Sequence, residues 1–231
     1  MENIQHNGYD THPENFDEYY LEDDLGYYDH FEDEDDRYES AAGVSAGAAV
    51  AGLTFDILSS AMTTFTKGDL KVVMPNGPIG VTASGIPSNI RSQLRTVRPR
   101  ARTIFKYRKT NPISGIEQVN IQLTCRVQYN GPSVQATFGF AAGGTRSRLM
   151  RDSKVTIRNP LSLERQPTSS AWRKVGINVY PVVTIPIEVS VDHPWPQSND
   201  HWTFDLVISG MYGFGRKKGH RAVRNMRHVK N

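Results

Sequence analysis

The sequence predicts a mainly β fold, α+β at most: an antiparallel sheet or sandwich of about seven or eight strands with one or two helices. A disordered acidic arm precedes it and a basic tail follows it. Three observations carry this reading: runs in which apolar residues recur at every second position, Asn-Gly turns between such runs, and a separation of charge along the chain. The predicted divisions are an acidic, tyrosine-rich arm at 1–42, an Ala/Gly-rich linker or helix at 43–66, a β-rich core domain at 67–215 and a basic tail at 216–231.

The arm comes first. Residues 1–40 hold fifteen acids against Arg37, a net of 1 − 15 = −14, so residues 41–231 carry 26 − 9 = +17 within a whole-chain charge of +3. Such a segment buries too little apolar surface to offset the entropy of ordering. Six of the ten tyrosines also lie here, at Tyr9, Tyr19, Tyr20, Tyr27, Tyr28 and Tyr38. That leaves three readings: a solvated entropic arm, a docking segment for a basic partner, or a mask over the chain's own basic surface. Tyr28 and Phe31 also fit the loose pattern of Tyr, two residues and a bulky hydrophobe that trafficking machinery reads.

In "SAAGVSAGAAVAGLTFDILSSAMTTF", residues 40–65, the small apolar run is too short for the ~20 residues of a membrane span. It reads as a flexible linker entering an amphipathic helix, or as a helix packing closely or lying at a membrane surface.

The core then alternates. Val119, Ile121, Leu123, Cys125, Val127 and Tyr129 share one face of "VNIQLTCRVQY", and Asn130-Gly131 turns the chain into "SVQATFGFA". "TIPIEVSV" and "WTFDLVI" alternate in the same way, and "LKVVM", "TIFKYRK", "KVTIR" and "VGINVY" add shorter strands, with "PNGP" at 75–78 as another turn. Pro181 and Pro186 cannot donate to a ladder, which predicts a strand end or a sheet edge there. "IPSNIRSQLRTV" is the predicted helix, with Ser88 as its cap and Ile90, Leu94 and Val97 on its apolar side.

Composition argues against secretion and against catalysis. The lone Cys125, the absence of an N-terminal apolar signal region and the absence of Asn-x-Ser/Thr point to a reducing cytosolic or nuclear setting. The seven histidines are scattered, and Cys125 on an apolar strand face is a small hydrophobe rather than a nucleophile. Asp192-His193 and Asp200-His201 flank "PWPQSN" and read as a proline-rich loop between strands in preference to a metal site. "FGFAAGGTRSR", residues 138–148, lacks the Gly-Lys-Ser/Thr ending of a phosphate loop and reads as a hairpin with a basic exit. No catalytic residue, metal or cofactor is expected.

Basic residues are the informative ones. "RSQLRTVRPRARTIFKYRK" holds eight Lys or Arg and no acid, and a helix there would set Arg91, Arg95 and Arg98 on one face. Arg100, Arg102, Lys106, Arg108 and Lys109 continue this cluster. Arg146, Arg148, Arg151, Lys154 and Arg158 form a second. Arg216, Lys217, Lys218, Arg221, Arg224, Arg227 and Lys230 form a third in the tail, which also looks like a nuclear import signal. Such unmixed clusters suit RNA phosphates or anionic lipid headgroups, without base-specific readout.

A compact basic β domain with a mobile arm and no active site looks like a viral structural protein. Within that class, "WRKVGINVYPVVTIPIEVSVDHPWPQSNDHWTF", residues 172–204, resembles the late sheet region of rhabdovirus matrix proteins: an Arg-rich approach, an Ile-Asn-Val-Tyr strand, an alternating strand, then an acidic loop before a Trp. The resemblance covers some 35 residues of the 231. It implies a protein of the inner envelope face that binds the viral ribonucleoprotein or its RNA, meets an anionic membrane, self-associates as a homo-oligomer and drives budding. Trafficking or nuclear import factors of the host are further implied partners. Animal members carry Pro-Pro-x-Tyr in the arm and a basic N-terminus; this arm is acidic and has no such motif, which questions the budding route, while plant-infecting members that assemble in the nucleus suit the basic C-terminus. The alternatives are a sandwich-type viral capsid protein packaging RNA and a plant-virus movement protein binding single-stranded RNA.

Overall fold

The computed structural model describes residues 17–20, 53–67, 70–110, 117–143, 153–174, 176–192 and 199–230. The early elements are β1 (Asp17–Tyr20), β2 (Thr54–Leu58), β3 (Met62–Lys67), β4 (Leu70–Pro75), β5 (Ile79–Ser84), α1 (Ser88–Arg91), β6 (Arg102–Thr110), β7 (Glu117–Tyr129) and β8 (Val134–Gly143). After them come β9 (Lys154–Ile157), β10 (Ser162–Pro167), α2 (Ser170–Lys174), β11 (Val179–Val191), β12 (Asp200–Ser209), β13 (Gly213–Phe214) and β14 (Val223–Lys230).

Two sheets face one another. The first runs β1-β6-β7-β8-β5-β2, antiparallel throughout. The second runs β13-β12-β11-β9-β4-β3, with β10 also on β11 and β14 also on β12; its β4–β9 pair is parallel. The mainly β sandwich expected from period two is therefore present.

Alternation explains how the long strands fill the space between the sheets. On β7, Val119, Ile121, Leu123, Cys125, Val127 and Tyr129 are all buried, while Arg126 is exposed and its polar neighbours are half-buried. Ile185, Ile187, Val189 and Val191 of β11, with Trp202, Phe204, Leu206 and Ile208 of β12, bury the facing side. Each such side chain contributes about 1.5–3 kcal/mol relative to exposure. Burial also raises the Cys125 thiol far above its ordinary range, so it stays protonated and inert.

The Asn130–Ser133 turn joins β7 to β8 as expected, with Ser133 N donating to Asn130 Oδ1 at 3.0 Å. Gly131 is required there: its φ is +88°, and an added Cβ would lie 2.7 Å from the Trp172 ring. The Gly131 amide donates to Gly210 O at 2.7 Å, tying the hairpin tip to the end of β12. "PNGP" also turns, but it carries the chain from β4 in one sheet to β5 in the other.

Several expectations are corrected. The predicted helix closes after one turn: Pro87 occupies the cap position with no side-chain cap hydrogen bond, so Ser88 is not the cap. Val97 instead bridges Tyr129, donating to its carbonyl at 2.8 Å, and Pro99 beyond it bars further helix. The predicted linker or helix at 43–66 contains β2 and β3, whose Thr, Phe and Ile content suits a pleated surface; residues 43–52 lie outside the described residues. Gly139 and Gly143 extend β8 opposite Thr124 and Asn120, so 138–143 is strand rather than hairpin. Pro186 does not mark an edge, since β11 lies inside its sheet; it falls between the stretch that pairs with β10 and the stretch that pairs with β9. The tail expected from 216 becomes strand from Val223 onward, while within the arm the described residues are the four of β1. The rest of the arm, with Tyr28 and Phe31, lies outside the described residues.

Candidate nucleic-acid interface

One side of the sandwich gathers two of the three basic clusters. Phe105 of β6 lies 5.4 Å from Trp202 and 5.7 Å from Phe204, ring centre to ring centre, and Tyr107 lies 4.8 Å from Trp202. These contacts set β6 over β12. β14 flanks β12 in the other sheet, with Trp202 opposite His228 and Thr203 opposite Arg227. Thus β6 and β14 come together at one lateral edge, although they are far apart in sequence.

A buried carboxylate joins them. Asp200 accepts from Tyr107 Oη at 3.2 Å through Oδ2, and its Oδ1 lies 2.7 Å from His228 Nε2. When Asp200 is ionised it can only accept, and Nε2 is then the donor of this pair. The His228 ring also stacks on Trp202 at 4.6 Å with its plane tilted by 3°. The repeated Asp-His pair noticed in the sequence is therefore split: Asp200 serves β6 and β14, whereas His201 faces Glu188 at 3.9 Å on the other side of β12. His193 lies outside the described residues, and among those described no cluster of three metal-ligating side chains occurs.

Bulges shape this edge. A register shift between Thr103 and Phe105 buries both Ile104 and Phe105, and beyond it Lys106 and Arg108 alternate with buried Tyr107. A second shift lies opposite Thr203 and Asp205, where Asn225 has φ +54°, a left-handed conformation that Asn tolerates. The extra residue lets Val223 and Met226, three apart, both pack against the core. Asn225 Nδ2 also donates to Asp205 Oδ2 at 2.7 Å, so that acid is engaged beside the strand.

The cations predicted from sequence divide as follows. Arg91 is exposed on α1, and Arg95, Arg98 and Arg100 are exposed on the extended chain leading into β6, so the first three share no helix face. Arg102 starts β6 with its guanidinium 5.1 Å above the Phe214 ring. Lys106 and Lys109 are half-buried and Arg108 is exposed. Arg221 and Arg227 are exposed beside or on β14, and Arg224 Nη2 lies 3.0 Å from His220 Nδ1. Lys217 and Lys218 are exposed in the turn before β14. Alternation turns Lys106 and Arg108 away from the core on β6, and Arg224 and Arg227 away from it on β14, so the two strands carry these cations on the outward faces of the two sheets along the same lateral side.

Other predicted residues are elsewhere. Arg216 is paired with Glu164 of β10. Its carbonyl accepts from Tyr180, whose phenol is raised by burial and by Tyr212, with Arg216 opposing. Lys154 stands on β9 next to Lys71 of β4, across the second sheet from β14, and Arg158 pairs with Glu188 at 3.4 Å. Arg146, Arg148 and Arg151 lie outside the described residues. Sequence reasoning missed the Tyr107-Asp200-His228 connection; its one trace was the alternation of Met226, His228 and Lys230.

No protein-family model, curated protein or solved structure matches this chain.

Proposed function

We propose that the chain is a non-enzymatic assembly protein of the viral matrix type, holding the phosphates of a ribonucleoprotein RNA along the β6/β14 edge. The observation that supports this most is that Arg102, Lys106 and Arg108 of β6 and Arg224 and Arg227 of β14 share one lateral side of the sandwich, where Asp200 and Asp205 are hydrogen-bonded to His228, Tyr107 and Asn225 and the arm's Asp17 and Glu18 stand opposite Lys109 and Arg108. A nucleic-acid backbone supplies anions at regular intervals, which suits a side of the molecule carrying several cations. Contact with anionic lipid uses the same charge at the membrane surface. Among the described residues no helix is long and apolar enough to cross a membrane.

Binding of a single-stranded RNA oligonucleotide, read by fluorescence anisotropy across salt, tests the reading beside flotation with phosphatidylserine vesicles. The matrix reading requires both, each weakened by salt. The two-sheet sandwich favours a second reading, a capsid protein, for which RNA binds and the vesicles do not float the protein. Absence of RNA binding at low salt would remove both.

A further inference from the structure

Strand β1 supplies an observation that electrostatics alone does not require. Without it, β6 would be the open edge of the first sheet, with a row of unpaired backbone groups. In the register, Asp17 stands opposite Lys109, Glu18 opposite Arg108, Tyr19 opposite Tyr107 and Tyr20 opposite Lys106. Two acids of the arm thus fall on two cations of the proposed RNA edge, and opposite charges directly across an antiparallel pair favour it. The chain from Tyr20 to the next described residue, Leu53, can span up to about 110 Å, so the segment can leave the edge and return.

We infer that the outer edge of β6 is a docking site for an acidic, tyrosine-bearing strand, filled in this chain by Asp17–Tyr20, and that an RNA strand competes with it for Arg108 and Lys109, which stand opposite Glu18 and Asp17. The second half rests on the RNA-binding reading; the first does not. An occupied edge lowers the apparent affinity by the fraction of molecules in which it is closed. The arm then acts through a defined register, not merely as a cloud of negative charge.

The test uses the full chain carrying Tyr19→Pro with Tyr20→Pro. These neutral changes remove adjacent amides on both alternations of the strand and leave the net charge as it is. Hydrogen exchange without RNA should show faster exchange at the β6 amides, and affinity for the RNA oligonucleotide should rise roughly three- to tenfold, the size that two favourable cross-strand pairs supply. Asp17→Asn with Glu18→Gln should give a rise of similar direction. Unchanged β6 exchange in the proline variant overturns the docking. Faster exchange with unchanged RNA affinity overturns the competition and leaves the proposed function standing. If the unaltered protein binds no RNA, competition and proposed function fall together, and exchange alone still decides whether the strand docks.

Discussion

The two lateral edges of the sandwich meet the same backbone problem with opposite chemistry. On one side, β6, with β1 docked on it, and β14 carry Arg102, Lys106, Arg108, Arg224, Arg227 and Lys230; on the other, β2 and β3 present Thr54, Asp56, Ile57, Met62, Thr63, Thr64, Phe65 and Thr66. Ile57, Met62 and Phe65 are exposed there, at 48%, 40% and 37%. A cationic edge repels a second copy of itself and attracts an anionic chain. A neutral, threonine-rich edge carries no such barrier, which makes it the side on which self-association of the matrix type would be sought. Charge placement, more than total charge, separates the two.

The largest expected effect breaks the cationic side. Lys106→Ala, Arg108→Ala and Arg227→Ala together should lower the salt slope of RNA binding by about two, at roughly 0.7 per lost contact on a single strand, and affinity at 0.1 M salt by about a hundredfold. Titrations at several salt concentrations measure both, and an unaltered slope would take these residues out of the interface. Next in size is the junction that holds the side together. His228→Ala leaves Asp200, whose side chain is 3% exposed, with one fewer partner, and should cost about 2 kcal/mol in urea unfolding. A loss below about 0.5 kcal/mol would mean that β14 is held by its ladder alone.

A smaller effect sharpens the comparison from the opposite side. Thr64→Lys with Thr66→Lys restores charge on the neutral edge and should change RNA affinity less than about twofold, with stability within about 0.5 kcal/mol. A gain as large as the loss on the other side would show that bulk charge decides binding. The smallest expected signal is none: Cys125 should resist iodoacetamide in every folded variant, since its thiol is buried and protonated, and should react only under denaturant. Rapid labelling of an edge variant would attribute its weaker binding to a disturbed core.

What could be read in advance follows from how each strand meets the core. β7, β11 and β12 each present an unbroken apolar face, so alternation disclosed them and the sandwich with them. β14 was concealed because the bulge at Asn225 sets Val223 and Met226 three apart, a spacing that resembles neither strand nor helix. The stretch after Ile90 has helical spacing, but the bridge from Val97 to Tyr129 fixes it as extended chain, and only the folded partner reveals that. The cations themselves were visible as clusters. Their meeting was not, because it depends on β6 stacking over β12 while Asp200 binds Tyr107 and His228, contacts between residues remote in sequence.

The parallel β4–β9 pair has a consequence for synthesis. Lys71, Val72 and Val73 align with Lys154, Val155 and Thr156, so the β3–β4 hairpin has no neighbour until the chain has been made past Ile157. By then β5 through β8 have emerged and can zip into most of the first sheet. Closing so long a loop is slow, and the nascent hairpin waits with Leu70 and Val72 unsheltered, open to wrong partners during translation.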